Sequence, residues 1–136
     1  MNTNRLLGLV AGASLLLFST PSLAAPSSAK ALLSHGRAVY SAKCAMCHQS
    51  AGQGVPGVFP PLAGSPYTNG PAARHIKIVL NGRQGSLSVK GQTYNGVMPA
   101  WKQLSDKDLA AVISFERTSW GNHGSIVTPQ EVHKLR

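Results

Sequence analysis

The sequence predicts an all-α domain in which a few helices are joined by long irregular loops. Three observations lead there. Apolar residues recur at three- and four-residue spacing in three separate segments, the pattern of a helix with one buried face. Between the first two segments, residues 49–71 hold Gly52, Gly54, Pro56, Gly57, Pro60, Pro61, Gly64, Pro66, Gly70 and Pro71, which exclude regular helix or strand. No strand-like alternation of useful length and no internal repeat occurs.

In chain order, Asn2 to Arg5 is a polar head with one positive charge, and Leu6 to Phe18 is a run of 13 apolar or small residues. Thr20-Pro21 breaks the run, and Ser22-Leu23-Ala24 supplies the small residues read by a signal peptidase. A membrane-spanning helix needs about 20 apolar residues, so this segment reads as a cleaved export signal over residues 1–24. The mature domain is then 25–136, with a core of about 30–121, a tail of 122–136 and no membrane span.

The first helix is expected over Ala31–Lys43, with Leu32, Gly36, Val39 and Tyr40 on one face. Gly36 costs about 1 kcal/mol there relative to Ala, which points to a close approach by another backbone. The loop 49–71 is long for so small a domain and calls for a bulky object to wrap. Val55, Val58, Phe59, Leu62 and Tyr67 make it too apolar for a free linker. A short helix follows over Pro71–Leu80, ended by Asn81-Gly82. Residues 83–104 read as loop. Ser105, with Asp108 three residues on, starts the last long helix, whose spaced residues are Leu109, Val112, Ile113, Phe115 and Glu116. Thr128-Pro129-Gln130-Glu131 starts one or two further turns.

The formal net charge is +9, and +8 once Arg5 leaves with the signal. The positive residues of the mature domain are scattered, from Lys30 to Arg136, with no run of like charge. Outside the cytoplasm nucleic acid is not the expected target, which leaves an acidic protein partner or simply a solvated surface. The acids Asp106, Asp108, Glu116 and Glu131 fall on expected helix surfaces and form no hydrolytic pair.

The two cysteines, Cys44 and Cys47, stand two residues apart and are followed at once by His48. This is the spacing of covalent haem attachment: two thiols reach the two vinyl groups along one porphyrin edge, and the adjacent imidazole turns under the iron. Zinc would need about four ligands, and His35, His75, His123 and His133 supply no paired spacing. A local disulfide or a redox pair is the other use, the latter normally set in a βαβ unit. If haem is bound, the second axial ligand is sought on the opposite face. Met1 leaves with the signal, and Met46 is pinned inside the attachment motif. Met98, 50 residues after His48 in the loop Tyr94-Asn95-Gly96-Val97-Met98-Pro99-Ala100-Trp101, is the remaining methionine. His75 is its rival, and an open sixth site is the third possibility.

Taken together, these residues resemble the class I cytochromes c over about residues 30 to 121. The resemblance implies a small all-α fold with crossing N- and C-terminal helices, a short middle helix and long loops around one covalent haem c. Gly36 and Tyr40 match the family's glycine and aromatic on the first helix, and Phe115 the aromatic packed there from the last. Phe59-Pro60-Pro61-Leu62 matches the segment after the attachment motif, which implies that the Pro60 carbonyl accepts from His48 Nδ1–H and that Leu62 packs on the haem. Met98-Pro99-Ala100-Trp101 and Ser119-Trp120-Gly121-Asn122 are similar to small bacterial cytochromes and to the cytochrome domains of periplasmic dehydrogenases. Such a dehydrogenase subunit often has three attachment motifs, whereas this chain has one.

The resemblance implies an electron carrier rather than an enzyme. Iron would be held by His48 and Met98, and haem by Cys44 and Cys47. The residues expected to keep water from the iron are Phe59, Leu62, Val97, Val112 and Phe115. The chain would work in the periplasm with a dehydrogenase, reductase or terminal oxidase, met through a basic surface. A haem protein that binds a small gas or peroxide at open iron, and a fixed subunit of a larger oxidoreductase, are the competing readings.

Overall fold

The computed structural model describes residues 26–136, so the expected export signal lies outside the described residues. Helix α1 runs over Pro26–Lys43, five residues earlier than the apolar spacing alone predicts. Proline is tolerated in a helix's first turn and Ala29-Lys30-Ala31 are good helix formers, so propensity carries the helix beyond its buried stripe. A short turn of helix, α2 (Ala45–His48), holds the end of the Cys-Ala-Met-Cys-His segment. Within the Gly/Pro-rich loop there is one more turn, α3 (Pro66–Asn69), capped by the Ser65 side chain, which accepts from the Tyr67 backbone N–H. Helix α4 is Ala72–Asn81, and α5 is Asp106–Thr118.

The principal packing is α1 across α5, and it depends on Gly36. A Cβ at that position would overlap the carbonyl oxygen of Ala111 and stand 2.9 Å from Phe115 Cβ. One turn on, Tyr40 is 1% exposed and meets Phe115 and Trp120, with ring centroids 5.5 and 4.9 Å apart. Phe115 and Trp120 meet edge to face at 5.3 Å, an arrangement favoured by ring quadrupoles. Around this crossing lies the core, including Ile76, Leu80, Leu109, Val112 and Ile113.

Ser105 caps α5 by accepting from the Asp108 backbone N–H at 3.1 Å. The Asp108 side chain accepts from the Ser105 hydroxyl at 2.7 Å and pairs with His35 of α1, also at 2.7 Å. The reciprocal form occurs at the tail, where Thr128 and Glu131 make a full capping box for α6 (Pro129–His133). Val127 and Val132 seat this tail in the core, and Ser114 Oγ both accepts from Val127 N–H and donates to Val127 O.

Residues 83–104 are not loop throughout. Strand β1 (Arg83–Gln84) pairs antiparallel with β4 (Val97–Met98), with Arg83 opposite Met98. Strand β2 (Leu87–Val89) pairs with β3 (Gln92–Tyr94) through a two-residue turn. At that turn Lys90 and Gly91 have φ of 51° and 80°. Positive φ at both positions is what a tight hairpin turn needs. Two or three residues are too few to show a period of two, and Lys-Gly lacks the usual Asn-Gly signature, so neither signal marked the ribbon.

Candidate haem site

Helix α1 delivers Cys44 at its end, and Cys44 in turn starts α2. Within one helical turn α2 presents Cys47 and His48. Both thiols are free and half-buried, and His48 is 9% exposed. Gln49 then reverses the chain with φ 64°. Its carbonyl accepts from the Tyr40 hydroxyl at 2.6 Å, which ties the turn to the aromatic cluster. The loop beyond is folded on this turn. Gly54 N–H donates to the His48 carbonyl, while Leu62 and Ala63 donate to Gly52 O. These bonds bring Pro60 over the imidazole, and Pro60 O lies 2.9 Å from His48 Nδ1.

Cys44, Cys47 and His48 line one wall of a cavity of ≈ 360 Å³. Phe59, Pro60, Pro61 and Leu62 continue it, α4 supplies Ile78 and Val79, and the hairpin supplies Leu87, Val89 and Tyr94. Met98, Pro99 and Trp101 come from the segment after the hairpin. That segment is fixed by the β1–β4 pairing, by the Trp101 N–H bond to Val79 O, and by its close approach to Gly82. The cavity thus brings together Cys44, Cys47, His48, Pro60, Leu62 and Met98. Val97 is 69% exposed at the rim. Val112 and Phe115, expected to shield the site, belong to the core and the aromatic cluster and do not line it.

Two further residues come to this wall: His75, which the sequence offered as the rival iron ligand, and Glu116, which it did not place there. Glu116, expected on a helix surface, is 3% exposed and lines the cavity beside His75, which is 4% exposed. His75 Nε2 lies 2.9 Å from Glu116 Oε2. Glu116 follows Leu109, Val112 and Ile113 on the apolar stripe of α5, and that spacing was the available signal. Burial first, and the Glu116 carboxylate second, push the Cys44 thiol and the Tyr40 phenol well above their ordinary ranges. Cys44 is therefore a neutral thiol in this pocket rather than a poised thiolate.

The wall chemistry suits a large, mostly apolar group with polar edges. It has few polar atoms, two thiols and the His48 imidazole, and two buried side-chain nitrogens, His75 Nδ1 and Arg83 Nε, have no partner among the described residues. No cluster of three His, Cys, Asp or Glu residues that could hold a bare metal ion occurs among the described residues. The family model for cytochrome c matches residues 33–120. The chain belongs to the cytochrome c family.

Cytochrome c-552 of Thermus thermophilus is 44% identical over 110 residues, covering 74% of this chain and 83% of that one. The cytochrome c subunit of a quinone alcohol dehydrogenase from Gluconacetobacter polyoxogenes is 40% identical over 106 residues, and that of a gluconate 2-dehydrogenase from Pantoea cypripedii 37% over 107. This chain spans only 22% and 24% of the length of those two subunits. The chain is a monohaem class I cytochrome c, and its cofactor is one covalently bound haem c with its iron. Cytochromes of this kind transfer electrons. Among the described residues, no helix is long and apolar enough to cross a membrane.

Proposed function

We propose that this chain is an exported one-electron carrier of the bacterial periplasm, with residues 1–24 as the signal and 25–136 as the working domain. The observation that carries the reading is the convergence of the Cys44 and Cys47 thiols, the His48 imidazole and the Met98 thioether on a single apolar cavity. Cys44 and Cys47 hold the haem c through thioether bonds, and His48 and Met98 bind its iron. The haem supplies an iron that alternates between ferric and ferrous states. The Pro60 carbonyl accepts from His48 Nδ1–H, which fixes the tautomer, leaves Nε2 for the metal and raises ligand basicity. Met98 sulfur favours the ferrous state and so raises the potential relative to a bis-histidine site.

The remaining residues exclude water and limit movement. Pro60, Leu62, Ile78 and Val79 supply apolar wall, while the paired strands and the Trp101–Val79 bond hold Met98 in place. With both ligands fixed, little reorganises when the charge changes. A redox partner would meet the haem at the apolar mouth edged by Met46, Val58 and Val97, which are 85%, 52% and 69% exposed. Lys43 and Arg83 lie at the same cavity and favour an acidic face on the redox partner, a dehydrogenase, reductase or terminal oxidase. Such contacts are small and short-lived.

Met98→Ala separates this reading from a gas-binding haem protein. The variant is expected to keep covalent haem, lose the weak long-wavelength band of thioether-ligated ferric haem, drop in potential and gain binding of carbon monoxide. A wild-type protein that already lacked that band and bound carbon monoxide readily would contradict the assignment.

A further inference from the structure

The chain contains the pairs Asn69-Gly70, Asn81-Gly82 and Asn95-Gly96. An asparagine followed by glycine carries an intrinsic reaction. The backbone nitrogen of the second residue can attack the side-chain amide carbon of the first, and glycine, with no Cβ, obstructs that approach least. Nitrogen and carbon must come together in the right orientation, so a fold that fixes either group elsewhere suppresses the step.

Two of the pairs are fixed. Asn69 ends α3, and its Nδ2 donates to Ser65 O at 3.0 Å and to Asn122 Oδ1 at 2.9 Å, while its Oδ1 accepts from His123 N–H at 2.9 Å. Asn81 ends α4, where its Nδ2 donates to Lys77 O at 3.0 Å. Gly82 beside it is so closely packed that a Cβ would stand 2.8 Å from Ala100 N. The third pair is held by none of these contacts. Asn95 and Gly96 lie between β3 and β4, outside both ribbons, and both are exposed. No hydrogen bond to the described residues restrains the Asn95 side chain. A Cβ on Gly96 would meet only Val58 O, at 3.6 Å, which is ordinary contact.

The place matters as much as the freedom. Gly96 and Val97 line the haem cavity at its mouth. Of the acidic residues, Asp106, Asp108 and Glu131 belong to α5 and α6, and only Glu116 lines the cavity, where it is buried. The mouth therefore has no exposed carboxylate from the chain.

We propose that Asn95 is a self-modification site, which turns with age into a carboxylate beside the haem mouth and slows electron exchange with anionic partners. Gly96 N bonds to Asn95 Cγ, the Cγ–Nδ2 bond breaks, and the Gly96 proton leaves with the side-chain nitrogen as ammonia. Water then opens the five-membered ring at either of its carbonyl carbons, and Gly96 N regains a proton. One water is consumed, one ammonia is released and nothing is oxidised. The products, aspartate and its isomer with the chain running through the side-chain carbon, both carry a carboxyl that is ionised near neutral pH. The effect on exchange rests on the reading of the chain as a one-electron carrier; the modification itself does not.

The test starts with wild-type holoprotein held at mildly alkaline pH and mapped by peptide mass spectrometry. The mass gain of an amide-to-acid change should appear at Asn95 and not at Asn69 or Asn81, whereas in urea all three should react. Equal reaction of the three in the folded protein, an unchanged Asn95, or the same selectivity in urea overturns the proposal. Gly96→Ala should lose the modification over the same incubation, and an unchanged rate would contradict attack by that nitrogen. Stopped-flow oxidation of the ferrous protein reads the charge. Asn95→Asp and the aged wild type should both react with ferricyanide about twofold more slowly than fresh wild type at low salt, the difference closing at high salt. The cationic oxidant tris(phenanthroline)cobalt(III) should show the opposite order. Unchanged rates with both reagents overturn the effect on exchange. A ferrous protein that ferricyanide failed to oxidise would refute the carrier reading, while the mass map decides the modification site by itself.

Discussion

Arg117 shows how much one residue can organise. Its side chain is nearly fully buried, and its Nη1 donates to the carbonyls of Thr68 at 2.8 Å and Gly70 at 3.0 Å, while Nε donates to Ser125 O at 2.8 Å. One cation therefore ties α5 to α3 and to the tail. Burial is the main influence on it and lowers its pKa from the usual arginine value. Arg117→Leu should destabilise the fold by about 3 kcal/mol, since buried carbonyls lose their donors, and a denaturant melt of the holoprotein would show it. At this scale the sequence was legible where chemistry imposes spacing. Two vinyl groups on one ring edge dictate the spacing of Cys44, Cys47 and His48, which the fold keeps within one helical turn. It was illegible where charge is buried by long-range pairing. The partner of Glu116 lies on another helix, so the spacing that sets Glu116 on the apolar stripe of α5 could not name His75 as its partner.

At the scale of elements, the packing of α1 on α5 and the capped helices α5 and α6 carry the architecture. Gly36→Ala would drive a methyl group into the Ala111 carbonyl, and the expected loss is about 2 kcal/mol, read as a lower melting temperature with haem still attached. Thr128→Ala removes the cap of α6 and should cost about 1 kcal/mol. Local protease sensitivity of the tail would rise with it, because Val127 and Val132 are the apolar residues that seat α6. Helices α1, α4 and α5 could be read from apolar spacing because each has one buried face. The ribbon of β1 to β4 could not, since its strands are shorter than the period that would reveal them. The start of α1 was missed for the opposite reason, its first turns being helical by propensity with little buried face.

For the whole molecule, pH and salt report on different parts. The Arg136 guanidinium, with His133, holds Asp106 below the usual carboxylate range; Ser105 and His35 do so for Asp108, and Thr128 for Glu131. A lowered carboxyl stabilises the fold fully above its unfolded value of about 4 and ceases to do so as pH falls through the lowered native value. Stability of the holoprotein should therefore be flat from neutral pH down to about 5 and decline below about 4. An acid series of thermal melts would check this, and a decline beginning near neutrality would not fit these groups. The excess of positive charge should make transfer to an acidic redox partner slower at high ionic strength, which stopped-flow kinetics at two salt concentrations would read. The most direct test of the account is a spectroelectrochemical titration of the purified holoprotein. A single reversible one-electron wave, with both end states six-coordinate and low-spin, is the predicted result. A high-spin ferrous state that binds added carbon monoxide at once, or a wave that cannot be reversed, would contradict the electron-carrier reading.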